Sequence, residues 1–352
     1  MPESGRLRVG ETLQLFADVQ DGRNRTVVGR QVSATTLEPS AFTVTSAGLV
    51  TALAPGAAQV LIASEGKTAT VPITVVPAIG PVDECASARP EWIWCDDFET
   101  DRVGKYFEYG SKGESFLPMA KVGYAGSAGM RARFITAGQV DAGFLHVAFG
   151  KTPSPYFRPV DAGTAVYREI YWRLYVRYGP GWIGGGGNKM SRAQSLVTRD
   201  FAQAMIAHLW SGSMDGDPIP VDHLGADPWT GVGGGSRFLT RSYNDFPNLT
   251  ALGPGISETA VFDRLHVGRW YCVEARARLN DPGRSNGVLE LWIDDRPEAS
   301  RTELAWIGSF RDFGINAVYI ENYWNDGAPQ PQERYFDNFV VSTQRIGCLD
   351  SG

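Results

Sequence analysis

Hydrophobic and polar positions alternate most regularly over Tyr167–Trp182, and a period of two divides that stretch into two faces. Ile170, Trp172, Leu174 and Val176 fall on one face, and Tyr167, Glu169, Tyr171, Arg173, Tyr175 and Arg177 fall on the other. The pattern predicts a long strand with an apolar back and a front of rings, carboxylate and guanidiniums. The same alternation recurs at Trp270–Leu279, Val288–Asp294 and Ala317–Trp324. Further strands are expected at Gly129–Ile135, Gly143–Phe149, Gln203–Trp210 and Tyr335–Ser342. If the alternating strands share a sheet, Glu274, Arg276, Glu290, Trp292, Tyr319, Glu321 and Tyr323 join Glu169 and Arg173 on one face. Rings and charged hydrogen-bonding groups together suit the C–H patches and hydroxyls of sugars, so this face, with Tyr171 and Tyr175, is expected to be a polysaccharide-binding groove. A solvated sheet laced with cross-strand pairs would carry the same pattern.

Upstream, short strands at Phe42–Val44, Leu49–Ala52, Gln59–Ala63 and Thr68–Val76 are punctuated by Gly, Pro and Ser, which describes a small sandwich over residues 1–78. A linker and lead-in segment follows over residues 79–91, stiffened by Pro77, Gly80 and Pro81, and residues 92–352 form the larger unit. No long window has helical periodicity. The chain is expected to be all-β, with a jelly roll closing its two sheets in the larger unit.

Composition agrees, with 41 glycines, 21 prolines and 40 aromatic residues in 352. A formal charge of −6 without a long basic run excludes nucleic acid as the main partner. No apolar run reaches the length of a membrane span, and MPESGRLRVG has no apolar signal core, so we expect the sequence to begin after a removed leader. Cys85, Cys95, Cys272 and Cys348 lack zinc-site spacing, and two disulfides formed in an oxidising compartment fit them better. Three connectivities exist, and position along the chain favours Cys85–Cys95 with Cys272–Cys348.

The runs VGETLQLFADV, TSAGLVTALAPGAAQVLIAS and GKTATVPITVV resemble the bacterial group 2 immunoglobulin-like domain, departing from it at the central strand around Ala34, where the usual tryptophan is absent. That resemblance implies a spacer or adhesive module on an exterior surface. The DDFE opening, GGGGNK, the HVGRWYCVEARARLN and GVLELWIDDR pair and the closing YFDNFVVS resemble the concanavalin A-like lectin/glucanase jelly roll, in particular its polysaccharide lyases and secreted carbohydrate-binding proteins. The fold hosts many activities, so the resemblance implies the sandwich more strongly than the chemistry.

A uronate lyase needs a base, an acid for the leaving oxygen and a cation to offset the enolate-like intermediate. Lys189 in GGGGNKMSR resembles the glycine-flanked lysine of jelly-roll lyases, although Met190-Ser191 replaces the usual leucine-proline; Arg192, His208, Tyr319 and Tyr323 complete the expected set. Lys189 can equally be read as a solvated loop charge and His208 as a hydrogen-bonded core histidine. His146 and His266 show no partner, and His223 falls in an expected loop. The glucanase E-x-D-x-(x)-E run is missing, leaving Glu274 with Glu290 or Glu321 as the carboxylate pair a hydrolase would use. No serine elbow, HExxH or phosphate loop occurs, and no organic cofactor is expected. The resemblance to calcium-bearing jelly rolls implies a structural Ca²⁺ held by Asp97, Glu99 and Asp337. The expectation is an exterior polysaccharide-binding protein that cleaves acidic glycan by β-elimination. The alternative is a non-catalytic structural or adhesion protein assembled on a cell or virion surface.

Overall fold

The computed structural model describes residues 5–77, 83–184, 187–212, 221–234, 237–262 and 268–349. The chain is all-β, with five short 3-10 turns and no α-helix among these residues. None of the described helices is long and apolar enough to cross a membrane.

Residues 5–76 build two small sheets. One runs in the order Gly5–Arg8, Lys67–Val76, Gly56–Ser64, Ser33–Thr36, and the other in the order Thr12–Gln14, Leu49–Ala52, Phe42–Val44. Their own core of Leu7, Phe42, Val50, Val60 and Ile73 lies between them. Between Gln14 and Ser33 no strand forms, Gln20 and Thr26 making only an isolated bridge.

The larger unit is a two-sheet jelly-roll sandwich. One sheet runs Phe116–Met119, Gly129–Phe134, Gln332–Ser342, Glu169–Tyr178, Trp270–Arg278, Gly287–Ile293, Arg296–Leu304, with Trp92–Asp96 also paired on Gln332–Ser342. The other runs Thr250–Ala251, Asp222–Thr230, Gln203–Gly212, Asn188–Leu196, Ala317–Trp324, Asp141–Ala148, Glu108–Gly110, with Gly255–Phe262 also paired on Asp222–Thr230. Ile170, Trp172, Leu174 and Val176 face inward as their period requires and join Leu145, Val147, Ala193, Leu209, Val318 and Ile320 in one core. Polar groups cross that core in matched pairs: Trp172 Nε1 donates to Ser191 Oγ at 3.1 Å and Tyr178 Oη to Ser211 Oγ at 2.8 Å.

Two expectations change here. Ala317–Trp324 does not share a sheet with Glu169–Tyr178, so the single polar face assembled from sequence is divided between the two sheets. The segment after the GGGG run and the segment around His223 are strands, not loops, at Asn188–Leu196 and Asp222–Thr230. Gly185 and Gly186 of the GGGG run lie outside the described residues, as do His266 and residues 78–82 at the start of the linker.

Both expected disulfides are formed, Cys85 with Cys95 and Cys272 with Cys348. They fasten the two ends of the larger unit onto the outer face of the Glu169–Tyr178 sheet.

Candidate functional site

The outer face of that sheet is not a groove. Arg173 is 1% exposed, ion-paired through Nη2 with Glu84, and donates from Nη1 to Gly347 O at 3.0 Å. Glu274 accepts from the Ile346 amide at 2.7 Å and the Gly347 amide at 3.0 Å, and Tyr175 Oη accepts from the Leu349 amide at 2.7 Å. The disulfide-fastened tail therefore roofs the residues expected to hold sugar. Nearer the sheet edge, Arg276 donates to Glu169 at 2.7 Å and Glu290 at 2.8 Å, while Tyr171 and Trp292 stack at 6.4 Å. These are cross-strand pairs set by register, Tyr171 opposite Arg276 and Arg276 opposite Glu290. The suggested hydrolase pair of Glu274 with Glu321 is split between the two sheets.

The second sheet carries the cleft. About 760 Å³ in volume, it is lined by Lys189, Glu321 and Tyr323 together with Glu108, Asp141, His146, Trp210, Trp229, Tyr243, Asn244 and Phe246 among others. Register brings these side chains together: Lys189 lies opposite Tyr323 and Trp210, Arg192 opposite Tyr319 and His208, and His146 opposite Tyr319 and Glu108. Of the five expected catalytic residues, Lys189 and Tyr323 line the cleft, while Arg192, His208 and Tyr319 are buried beneath it. The Tyr319 ring is fully buried and its hydroxyl has no partner among the described residues, so it supports the floor and does not face a ligand.

Lys189 is buried on its strand, with Nζ 4.6 Å from the Tyr323 ring centroid and 5.6 Å from that of Trp210. Its ammonium makes no hydrogen bond or ion pair among the described residues, and burial lowers its pKa despite Glu321 nearby. The aromatic cage surrounds the charge, which Glu321 and Asp141 attract from beyond ion-pair distance.

Beneath it, Arg192 is fully buried and donates to Glu321 Oε1 at 2.9 Å and Asn244 Oδ1 at 2.8 Å. Tyr243 Oη sits between them, donating to Glu321 at 3.2 Å and accepting from Arg192. Burial would raise the Glu321 carboxyl, but Arg192 and His208 outweigh it and hold Glu321 well below the usual carboxylate range. From the core side Arg334 anchors both strands, donating to Glu321 O at 2.7 Å, Asn188 Oδ1 at 2.6 Å and the Lys189 carbonyl.

Sequence reasoning missed the partner of His146. Glu108 Oε2 lies 2.8 Å from His146 Nδ1, and Tyr156 Oη donates to Glu108 Oε1 at 2.8 Å. The imidazole is stacked between Phe144 at 4.4 Å and Tyr319 at 3.5 Å, and its Nε2 has no partner among the described residues. Burial lowers its pKa more than Glu108 raises it, so the ring is neutral at pH 7. With Nδ1–H committed to Glu108, Nε2 keeps its lone pair. The signal was a single Glu in a strand of three residues, too short for periodicity to show.

His208 is buried with Nε2 3.6 Å from Glu321 Oε2, and burial lowers its pKa to about 4. The unfolded chain takes up this proton near the ordinary value of 6.5 and the folded chain does not until about 4. The folded state therefore has its full stability from this group above pH 6.5 and loses it as pH falls toward 4. Asp337 and Asp96, raised to about 8 and about 6, gain stability as pH falls through the same window, so the His208 contribution is the difference between two Tm profiles: between pH 6.5 and 4 the Tm of His208→Asn is expected to fall less, or rise more, than that of the wild type. A slope unchanged in the variant would place the acid sensitivity elsewhere. His223 is not a groove residue, since its Nδ1 lies 2.9 Å from Ser257 O within the sheet.

The expected calcium ligands do not all meet. Asp97 accepts from Arg102 at 2.8 Å and from the Cys85 amide at 3.0 Å, which takes it out of the set. Asp337 accepts from Ser127 Oγ at 2.7 Å and the Tyr124 amide at 2.6 Å; burial, with Glu99 adding to it, raises its pKa to about 8. A side chain at Gly123 would meet Ala128 O at 1.9 Å and Asp337 Oδ2 at 2.5 Å, so these oxygens crowd one small space. No cluster of three or more His, Cys, Asp or Glu able to hold a metal occurs among the described residues.

No model of a known protein family matches the chain, and no curated protein does. Among solved structures it is similar to an alginate lyase of the marine PL-14 group from Aplysia kurodai, with 12% identity and TM-score 0.48 over 72% of this chain and 99% of the other. An endo-beta-1,4-glucuronan lyase from the fungus Trichoderma reesei gives 10% identity and TM-score 0.46 over 72% and 96%. The alginate lyase vAL-1 from Chlorella virus gives 13% identity and TM-score 0.42 over 68% and 94%.

Proposed function

We propose that the larger unit binds an acidic polysaccharide in this cleft and cleaves it by β-elimination. The observation that carries the reading is Lys189, a cation held among rings with no protein anion in ion-pair contact among the described residues. An anionic ligand group is what such a charge lacks, and a uronate carboxylate beside a scissile bond supplies it. Lys189 offsets charge as the carboxylate becomes enolate-like. The lone pair of His146 Nε2, which is covered in the unliganded cleft and must be uncovered as the ligand seats, takes the proton from the carbon bearing the carboxylate, with Glu108 fixing the tautomer. The electrons form the new carbon–carbon double bond, the glycosidic C–O bond breaks, and the Tyr323 hydroxyl protonates the leaving oxygen. Solvent returns the proton from His146 to Tyr323 for the next turnover.

Hydrolysis fits less well. A glycosidase needs one carboxyl raised in pKa to serve as acid, whereas Glu321 and Glu108 both lie below their ordinary range and Asp141 is paired with Lys112 at 2.9 Å. The test is ultraviolet absorbance of the conjugated product from a panel of uronic-acid polysaccharides. A rise that Tyr323→Phe reduces by about 10²-fold or more supports the roles, and a silent panel leaves binding or assembly as the function.

The two disulfides support an extracellular location. Residues 1–78 are read with it as a spacer, and Ca²⁺ is retained as a proposal at Asp337 and Glu99 with Ser127, without Asp97. A chelator is expected to lower Tm by several degrees and added Ca²⁺ to restore it. A Tm indifferent to both would remove the ion.

A further inference from the structure

The charges around the cleft do not match a fully charged polymer. Three carboxylates line it, Glu108, Asp141 and Glu321, against one lysine, Lys189. Arg192 is spent on Glu321 and is itself fully buried, Lys112 answers Asp141 from the rim, and His146 opposite Glu108 is uncharged at neutral pH. After these pairings Lys189 is the lining cation left for a ligand among the described residues. The surface flanking it is aromatic and amide in character, from Trp210, Trp229 and Phe246 with Asn244 and Asn325. Trp229 commits its Nε1–H to Asp227 at 2.6 Å, leaving its ring face for contact. Such walls accept the C–H faces and hydroxyls of uncharged sugars.

We infer that the substrate is a heteropolysaccharide in which one uronate is flanked by neutral sugars, and not a homopolymer of uronates; this rests on the elimination reading above. A second carboxylate placed beside the first would find no free lining cation among the described residues, because Arg192 and Lys112 are already paired with Glu321 and Asp141, and it would meet Glu108, whose partner His146 is neutral; an unpaired carboxylate is disfavoured in a partly desolvated cleft. One uronate at Lys189 satisfies the cation, and its neutral neighbours stack on the rings.

The experiment compares initial rates of absorbance increase on alginate and polygalacturonate, in which every sugar is charged, with those on gellan and unsulfated chondroitin, in which uronates are separated by neutral sugars. The expected result is kcat/KM on gellan or chondroitin at least tenfold above that on either homopolymer, with a KM that depends only weakly on salt, as one ion pair requires. Asp141→Asn, which removes a lining negative charge, should raise the rate on alginate several-fold relative to the rate on gellan. Equal or faster cleavage of alginate or polygalacturonate overturns this substrate class and leaves elimination standing. Absence of the chromophore on all four polymers overturns elimination and this inference together.

Discussion

Lys189→Ala is expected to lower kcat for elimination by about 10³-fold, the usual scale for removing a preorganised charge from a reacting oxyanion. Stability should move the other way. Burial lowers the lysine's pKa, and no ion pair among the described residues compensates its desolvation. Folding is therefore working against this charge at neutral pH, and removing it should leave Tm unchanged or raised. That combination, activity lost with stability kept, belongs to a site residue and not to a structural one. Lys189→Arg is not a conservative control, because a planar fork does not fit a cage built around a compact ammonium. Thermal unfolding and single-turnover rates on the same preparations check both halves. A large fall in Tm in Lys189→Ala would make the lysine a packing element.

Arg173→Ala is expected to do the reverse. Its guanidinium is buried with Glu84 and also donates to Gly347 O at 3.0 Å and Asn338 O at 3.2 Å, joining the start and end of the larger unit to the middle of the sheet. Truncation leaves Glu84 buried with, among the described residues, only Asn338 Nδ2 at 3.0 Å to bond it. Breaking a buried pair this way costs about 3–5 kcal/mol. Denaturant titration should show that loss in the midpoint, while kcat of the folded fraction stays near wild type because the residue lies on the sheet opposite the cleft. Loss of polysaccharide retention without loss of stability would return Arg173 to the role its sequence pattern suggested.

The contrast between these two residues shows what the sequence made legible. Alternation from Glu169 to Arg177 assigned each side chain to a face correctly, because a strand buried on one side must repeat every second residue, whereas Tyr167, expected on the front, precedes the strand and packs against the core. Alternation is silent about which sheet a strand joins, so Glu321 and Tyr323 were grouped with Arg173 although a whole sandwich separates the two sets. Nor does it distinguish water from a covering segment: the tail that roofs Arg173 and Glu274 arrives from over 70 residues away, tied by Cys272 and Cys348. NKMSRAQSL defeated the pattern for another reason. It is buried along its full length, one side in the core and the other in the cleft floor, and the floor requires polar residues that look like a loop. Lys189 and Tyr323, which line the cleft, and His208 and Arg192, which lie buried beneath it, were singled out by the chemistry a uronate lyase needs. Glu108 and Tyr243 were not, since their roles depend on contacts across 38 and 78 residues that no local signal encodes.

The most direct test of the account is the mass of the oligosaccharides released from a cleaved acidic polysaccharide. Elimination breaks the glycosidic bond without adding water, so one fragment of each cut should carry a double bond and weigh one water less than its hydrolytic counterpart, and its formation should stop in Lys189→Ala. Fragments that all carry the added water would contradict the account and turn attention to Glu108 and Glu321 as a hydrolytic pair.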